Sequence, residues 1–156
     1  MSQTSIPTDL VDMEYIERPR PWNIRSIKRF MILIGPVSSI FDFVTFGVLW
    51  FVFHAQQPLF TTGWFLESLC TQTLVIHVIR TGKIPFIESK PSKFLILTSI
   101  LIITVGIILP FSPLAGPLDF VTPPPLYFLA LFVIVLVYLF TVQLVKSVVV
   151  KKYGYD

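Results

Sequence analysis

Residues 30–53 read FMILIGPVSSIFDFVTFGVLWFVF, 24 residues in which Asp42 is the only charge. A helix that crosses a bilayer takes about 20 apolar residues, with a range of about 17–25. This stretch therefore predicts a membrane span. Three more apolar stretches follow it. Residues 63–79 contain Glu67 and His77, whereas residues 94–109 and 126–144 contain no Asp, Glu, Lys, Arg or His. The two shorter stretches reach spanning length if each helix extends a turn into its flanks. The expected helices are about 30–53, 63–80, 94–110 and 125–146. The fold class is an all-α membrane protein, a bundle of four transmembrane helices. A cytoplasmic arm (1–29), the transmembrane domain (30–147, with a cytoplasmic loop 81–93) and a cytoplasmic tail (148–156) complete the expected organisation.

Composition agrees. Of the 156 residues, 54% are hydrophobic and 13% charged, and the mean hydropathy is +0.78. A soluble domain carries about 25% charged residues, so part of this surface must face lipid. Cys70 is the single cysteine, which excludes a disulfide framework. It lies in an apolar run, where a small buried hydrophobe is the expected role. His54 and His77 are far apart and have no cysteine partner, so no zinc site is expected. The first 29 residues are polar and charged and show no cleavable signal peptide.

The basic residues set the orientation. All twelve Lys and Arg residues fall in three places: Arg18, Arg20, Arg25, Lys28 and Arg29; Arg80, Lys83, Lys90 and Lys93; and Lys146, Lys151 and Lys152. Segments 54–62 and 110–125 contain none. Four spans put the three basic segments on one side, and the excess of positive charge marks that side as cytoplasmic. The protein is expected in the inner cell membrane with both termini in the cytoplasm. Trp50, Phe53, Phe60, Trp64, Phe120, Tyr127 and Phe128 near the outer boundary, and Tyr153 and Tyr155 near the inner one, read as interfacial rings. Pro110, Pro113, Pro117 and Pro123 to Pro125 bracket the last outer segment, which consecutive prolines should stiffen.

Ionisable groups inside a span are costly and are functional candidates by default. Ser38, Ser39 and Thr45 lie three or four residues from Asp42 and share its helix face. This polar stripe either lines a cation path or joins helices by hydrogen bonds. Glu67, Cys70, Thr71, Thr73 and His77 make a broader stripe on the second helix. Its readings are ion contact or proton relay on one side, and packing or interfacial anchoring on the other. Glu67 reads as one turn from the outer end, where it would reach water. Gly35 and Pro36 lie in the inner third of the first helix; proline removes a backbone hydrogen bond and usually kinks a helix. The ion-path candidates are thus Asp42, Ser38, Ser39, Glu67, Thr71 and His77, with Gly35 and Pro36 as the expected kink. No residue is a catalytic candidate. There is no GxxxxGK[ST], HExxH or GxSxG pattern, and no polar stretch is long enough to form a nucleotide-binding domain.

Several motifs carry a family resemblance. Residues 6–24 (IPTDLVDMEYIERPRPWNI) resemble the cytoplasmic segment between the sixth and seventh helices of bacterial P-type magnesium-transporting ATPases. Residues 28–42 (KRFMILIGPVSSIFD) are similar to their seventh helix, and residues 72–87 (QTLVIHVIRTGKIPFI) to the end of their eighth helix and the following loop. Residues 110–114 (PFSPL) and 124–128 (PPLYF) resemble their last outer loop. The resemblance covers essentially the whole chain. It implies that the four helices correspond to the seventh to tenth of such a pump and that magnesium is the transported ion. In those pumps ATP phosphorylates an aspartate in a DKTGT motif of a large cytosolic domain. Neither that motif nor the fourth to sixth helices, which build most of the transport site, is present. The resemblance therefore implies no ATPase activity from this chain alone, and a supporting place beside the ion path for Asp42 and Glu67. Its implied partners are the lipid bilayer and the remainder of a P-type ATPase, with no nucleic acid. Three functions stay open: a C-terminal piece of a magnesium pump, a non-enzymatic accessory or regulatory subunit, and an oligomeric channel lined by Asp42 and Glu67.

Overall fold

The computed structural model describes residues 24–79, 85 and 91–153. Four long helices account for most of them: α1 (Ile24–Gly47), α2 (Gln57–Ile79), α3 (Lys93–Ile108) and α4 (Pro125–Tyr153). Much of the arm 1–29, of the loop 81–93 and of the tail 148–156 lies outside the described residues.

α1 passes through Pro36 without a break and continues at Gly47 into a wider π-helical turn, Val48–Val52. It starts six residues before the expected boundary, so the positions of Arg25, Lys28 and Arg29 are already helical. Basic residues are good helix formers, and the boundary expected from hydropathy marks where lipid begins, not where the helix does. α4 likewise runs to Tyr153, past the expected end near residue 146.

α2 shows the largest difference. It begins at Gln57, not near residue 63. Gln56, Gln57 and Pro58 look like a loop in sequence, but proline in the first helical turn gives up no hydrogen bond that the turn would make. Thr61 and Thr62 then donate their hydroxyls to the carbonyls of Gln57 and Pro58, at 2.9 and 2.8 Å. With 23 residues, α2 is about 34 Å long, enough for a hydrocarbon core of about 30 Å.

Helix α2 is the centre of the bundle, in contact with α1, α3 and α4, and α4 also packs on α1. Three segments are long and apolar enough to cross a membrane: Met31–Val52, Lys93–Phe111 and Pro125–Lys151. α2 is less apolar because its polar residues face inward. Thr62, Glu67, Thr71, Thr73 and His77 are all buried, while α1, α3 and α4 turn Phe43, Phe51, Phe94, Leu97, Phe132 and Phe140 outward. Apolar outside and polar between helices is the arrangement a lipid solvent favours.

Two clusters form the interior. Leu49, Leu66, Cys70, Tyr127, Leu131 and Val135 pack together toward one end. Val78, Tyr138 and Val142 pack with Ile34, Val37 and Phe41 toward the other. The connection from α1 to α2 is short, with His54 at a positive φ of 45°. Between α3 and α4 the chain makes two short 3-10 turns, Leu109–Phe111 and Pro113–Ala115. The backbone N–H of Val121 then donates to Thr62 Oγ1 at 3.0 Å, which ties this segment to the start of α2.

Candidate polar site between the helices

Along the bundle, polar side chains link neighbouring helices at successive depths. Nearest the first turns of α2, the Tyr127 hydroxyl donates to the Gly63 carbonyl at 2.6 Å. Tyr127 is fully buried, so it is not an interfacial ring. α2 and α4 meet closely here because residue 63 is glycine: a Cβ on it would lie 2.6 Å from a Leu49 methyl and 3.2 Å from the Tyr127 ring.

Asp42 and Glu67 come next. Trp64 Nε1 donates to Asp42 Oδ1 at 3.3 Å, which joins α1 to α2. Sequence spacing put Glu67 one turn from water. The earlier start of α2 puts it ten residues in, about 15 Å along the axis, and only 1% of its surface is exposed. Thr71, one turn on, donates to the Glu67 main-chain carbonyl at 2.9 Å.

Ser38 is matched by a residue that the charge pattern did not single out. Its Oγ lies 2.9 Å from the Tyr138 hydroxyl, joining α1 to α4. Ser39, one position on, is exposed and donates back to the Gly35 carbonyl at 3.3 Å. It therefore leaves the polar stripe. Thr45 is fully buried, and its hydroxyl has no partner among the described residues. His77 Nε2 lies 2.9 Å from Ser99 Oγ, joining α2 to α3. At the end of α2, Lys146 Nζ donates to the Val78 carbonyl at 2.9 Å. Its side chain is fully buried, and the bond satisfies a carbonyl that the end of α2 leaves open. Gly35 and Pro36 sit within α1, both exposed.

Sequence reasoning missed Trp64, Tyr127, Tyr138, Ser99 and Lys146 as members of this network. A signal was present for three of them: a hydroxyl in an otherwise aliphatic span needs a partner, and Ser99, Tyr127 and Tyr138 each have one. Among the described residues no three His, Cys, Asp or Glu side chains group together.

The fold and its polar seams define a membrane domain whose helices are tied to one another through polar contacts. The sequence comparisons give that domain a family. The family model described as cation transporting ATPase, C-terminus, matches residues 1–148. The chain is 45% identical over 160 residues to a Salmonella typhimurium protein named magnesium-transporting ATPase, P-type 1, and 46% identical over the same length to the Escherichia coli K12 protein of that name. The alignments cover 100% of this chain and 18% of each relative. The chain belongs to the C-terminal family of cation-transporting ATPases and spans about a fifth of the length of the curated relatives it matches.

Proposed function

We propose that the chain is the membrane brace of a magnesium-transporting P-type ATPase. Its helices support the ion-carrying helices of the pump, magnesium is the transported ion, and ATP acts only through domains outside residues 1–156. The observation that carries this reading is how the polar side chains are used. Ser38, Asp42, Thr71 and His77 each make hydrogen bonds within or between the helices, as in a support. A pore would turn these groups toward a water-filled path. The relatives named as magnesium-transporting ATPases support the choice of ion. We place the protein in the inner cell membrane with both termini cytoplasmic, on the distribution of the twelve basic residues. In this reading the segments 1–29 and 81–93 face the phosphorylation domain, and Asp42 and Glu67 stand beside the ion path and not in it.

Co-expression tests the proposal. A magnesium pump shortened by its last four helices should copurify with this chain and regain magnesium-stimulated ATPase activity, and liposomes that hold this chain alone should pass no magnesium. Failure to copurify, or magnesium flux through the chain alone, would overturn it.

A further inference from the structure

We propose that residues 109–121 form a wedge seated in lipid. The connection from α3 to α4 lies at the boundary of headgroups and acyl chains, in the leaflet at its end of the bundle, and not in the water beyond. The inference rests on the chain being a membrane bundle and does not depend on what that bundle transports.

Contacts on both sides fix the depth of the segment. Phe120 packs on Phe65 with ring centroids 4.9 Å apart. Phe65 is the ninth residue of α2, about 12 Å along its axis. The Val121 N–H donates to Thr62 Oγ1 at 3.0 Å. On the other side Phe111 stacks on Phe128, in the first turn of α4, with centroids 6.3 Å apart. The connection is therefore folded back beside the first turns of α2 and α4 and does not project past them.

Its exposed side chains suit lipid. Phe111, Leu114 and Leu118 are 56%, 59% and 47% exposed. They continue an exposed apolar surface that α3 carries at Val105 and Ile108, and Phe111 itself closes a segment apolar enough to cross a membrane. Residues 110–125 hold no Lys or Arg, and Asp119 is their only charge.

The backbone meets the second demand of lipid. An irregular segment that leaves water must find internal partners for its polar groups. Six of residues 110–125 are prolines, which carry no N–H. Ser112, Ala115, Asp119 and Phe120 donate to carbonyls of the same segment at 2.8–3.1 Å, and Leu114 donates to Ser112 Oγ at 3.3 Å. A loop in water needs no such closure, because water serves its free groups. Apolar side chains on a closed backbone match the boundary of headgroups and acyl chains, about 5–10 Å deep.

Spin labels on the full chain in lipid nanodiscs test the seat. In a Cys70→Ala background, labels on Leu114→Cys and Leu118→Cys should collide more with oxygen, which dissolves in lipid, than with a water-soluble nickel chelate. A reference label on Val105→Cys should do the same. A nickel excess at both wedge positions, with an oxygen excess at the reference, overturns the proposal and leaves the membrane bundle standing. A nickel excess at all three overturns both. Few collisions with either reagent at the wedge positions show a protein cover, and also overturn the proposal. The unaltered chain supplies a check free of substitutions. A phospholipid with a photoreactive group early in its acyl chain should cross-link within residues 111–118; cross-links on α3 with none in that segment overturn the proposal.

Discussion

Tyr138 and Ser38 meet with their oxygens 2.9 Å apart, across a helix interface that offers few other polar partners. The Tyr138 ring also packs edge-on against Phe41, with centroids 5.3 Å apart. Tyr138→Phe keeps that ring contact and removes only the hydroxyl. Hydrogen bonds between membrane helices contribute about 0.6 kcal/mol on average and at most about 2. We expect Tyr138→Phe to destabilise the bundle by about 0.5–1.5 kcal/mol, and a double-mutant cycle with Ser38→Ala to show a coupling near 0.6 kcal/mol. Unfolding equilibria in detergent micelles measure both. Additive effects of the two substitutions would show that the contact carries no energy. The charged members of the network, Asp42 and Glu67, were legible in the sequence because charge inside an apolar run is costly wherever it faces. Ser38 and Ser39 were not separable: they are neighbours in sequence, but consecutive helical residues point about 100° apart. Packing sent Ser38 to Tyr138 and left Ser39 exposed on the outer face of α1.

At the scale of elements, two glycines set how closely the helices approach. A Cβ on Gly106 of α3 would run into the end of the Leu69 side chain on α2. That side chain is half-buried and can turn aside. A Cβ on Gly63 would meet both methyls of Leu49, which is fully buried, and the Tyr127 ring, which is held in place by its hydrogen bond. Overpacking costs about 1–3 kcal/mol, depending on how far the neighbours can yield. Gly63→Ala should therefore fall near the upper end of that range and Gly106→Ala near the lower, with Leu69→Ala restoring the stability lost in Gly106→Ala. The reverse ranking in thermal unfolding would contradict this account of the two contacts. The helices themselves were largely legible, since α1, α3 and α4 follow apolar runs. The start of α2 was not, because Gln56, Gln57 and Pro58 have the composition of a loop. Only the first-turn geometry around Pro58 makes Gln57 and Pro58 helical.

For the whole molecule, the structure groups the chain ends of the helices in a way that charge had suggested. The bond from Val121 to Thr62 holds the α3–α4 connection against the first turn of α2. The bond from Lys146 to Val78 holds the last part of α4 against the end of α2. The two segments without Lys or Arg therefore share one end of the bundle, and the C-terminal part of α4 lies at the other. Single cysteines in a Cys70→Ala background can report the orientation. Ser112→Cys should react with a membrane-impermeant maleimide in right-side-out vesicles, and Lys151→Cys only after the vesicles are opened. The opposite pattern would place the basic side outside.

Hydropathy and the placement of twelve basic residues pointed to a four-helix membrane bundle, with three helices long and apolar enough to cross a membrane, and to which ends lie together. Both follow from solvent: each residue is sorted by lipid or water without reference to its neighbours. Only the tertiary structure decided which polar groups meet. Asp42 meets Trp64, Ser38 meets Tyr138, His77 meets Ser99, and Lys146 closes the end of α2. Those pairings depend on how far each helix is rotated about its axis and shifted along it. Contacts from α1, α3 and α4 on the central helix α2 fix these quantities together, and no local stretch of sequence contains them.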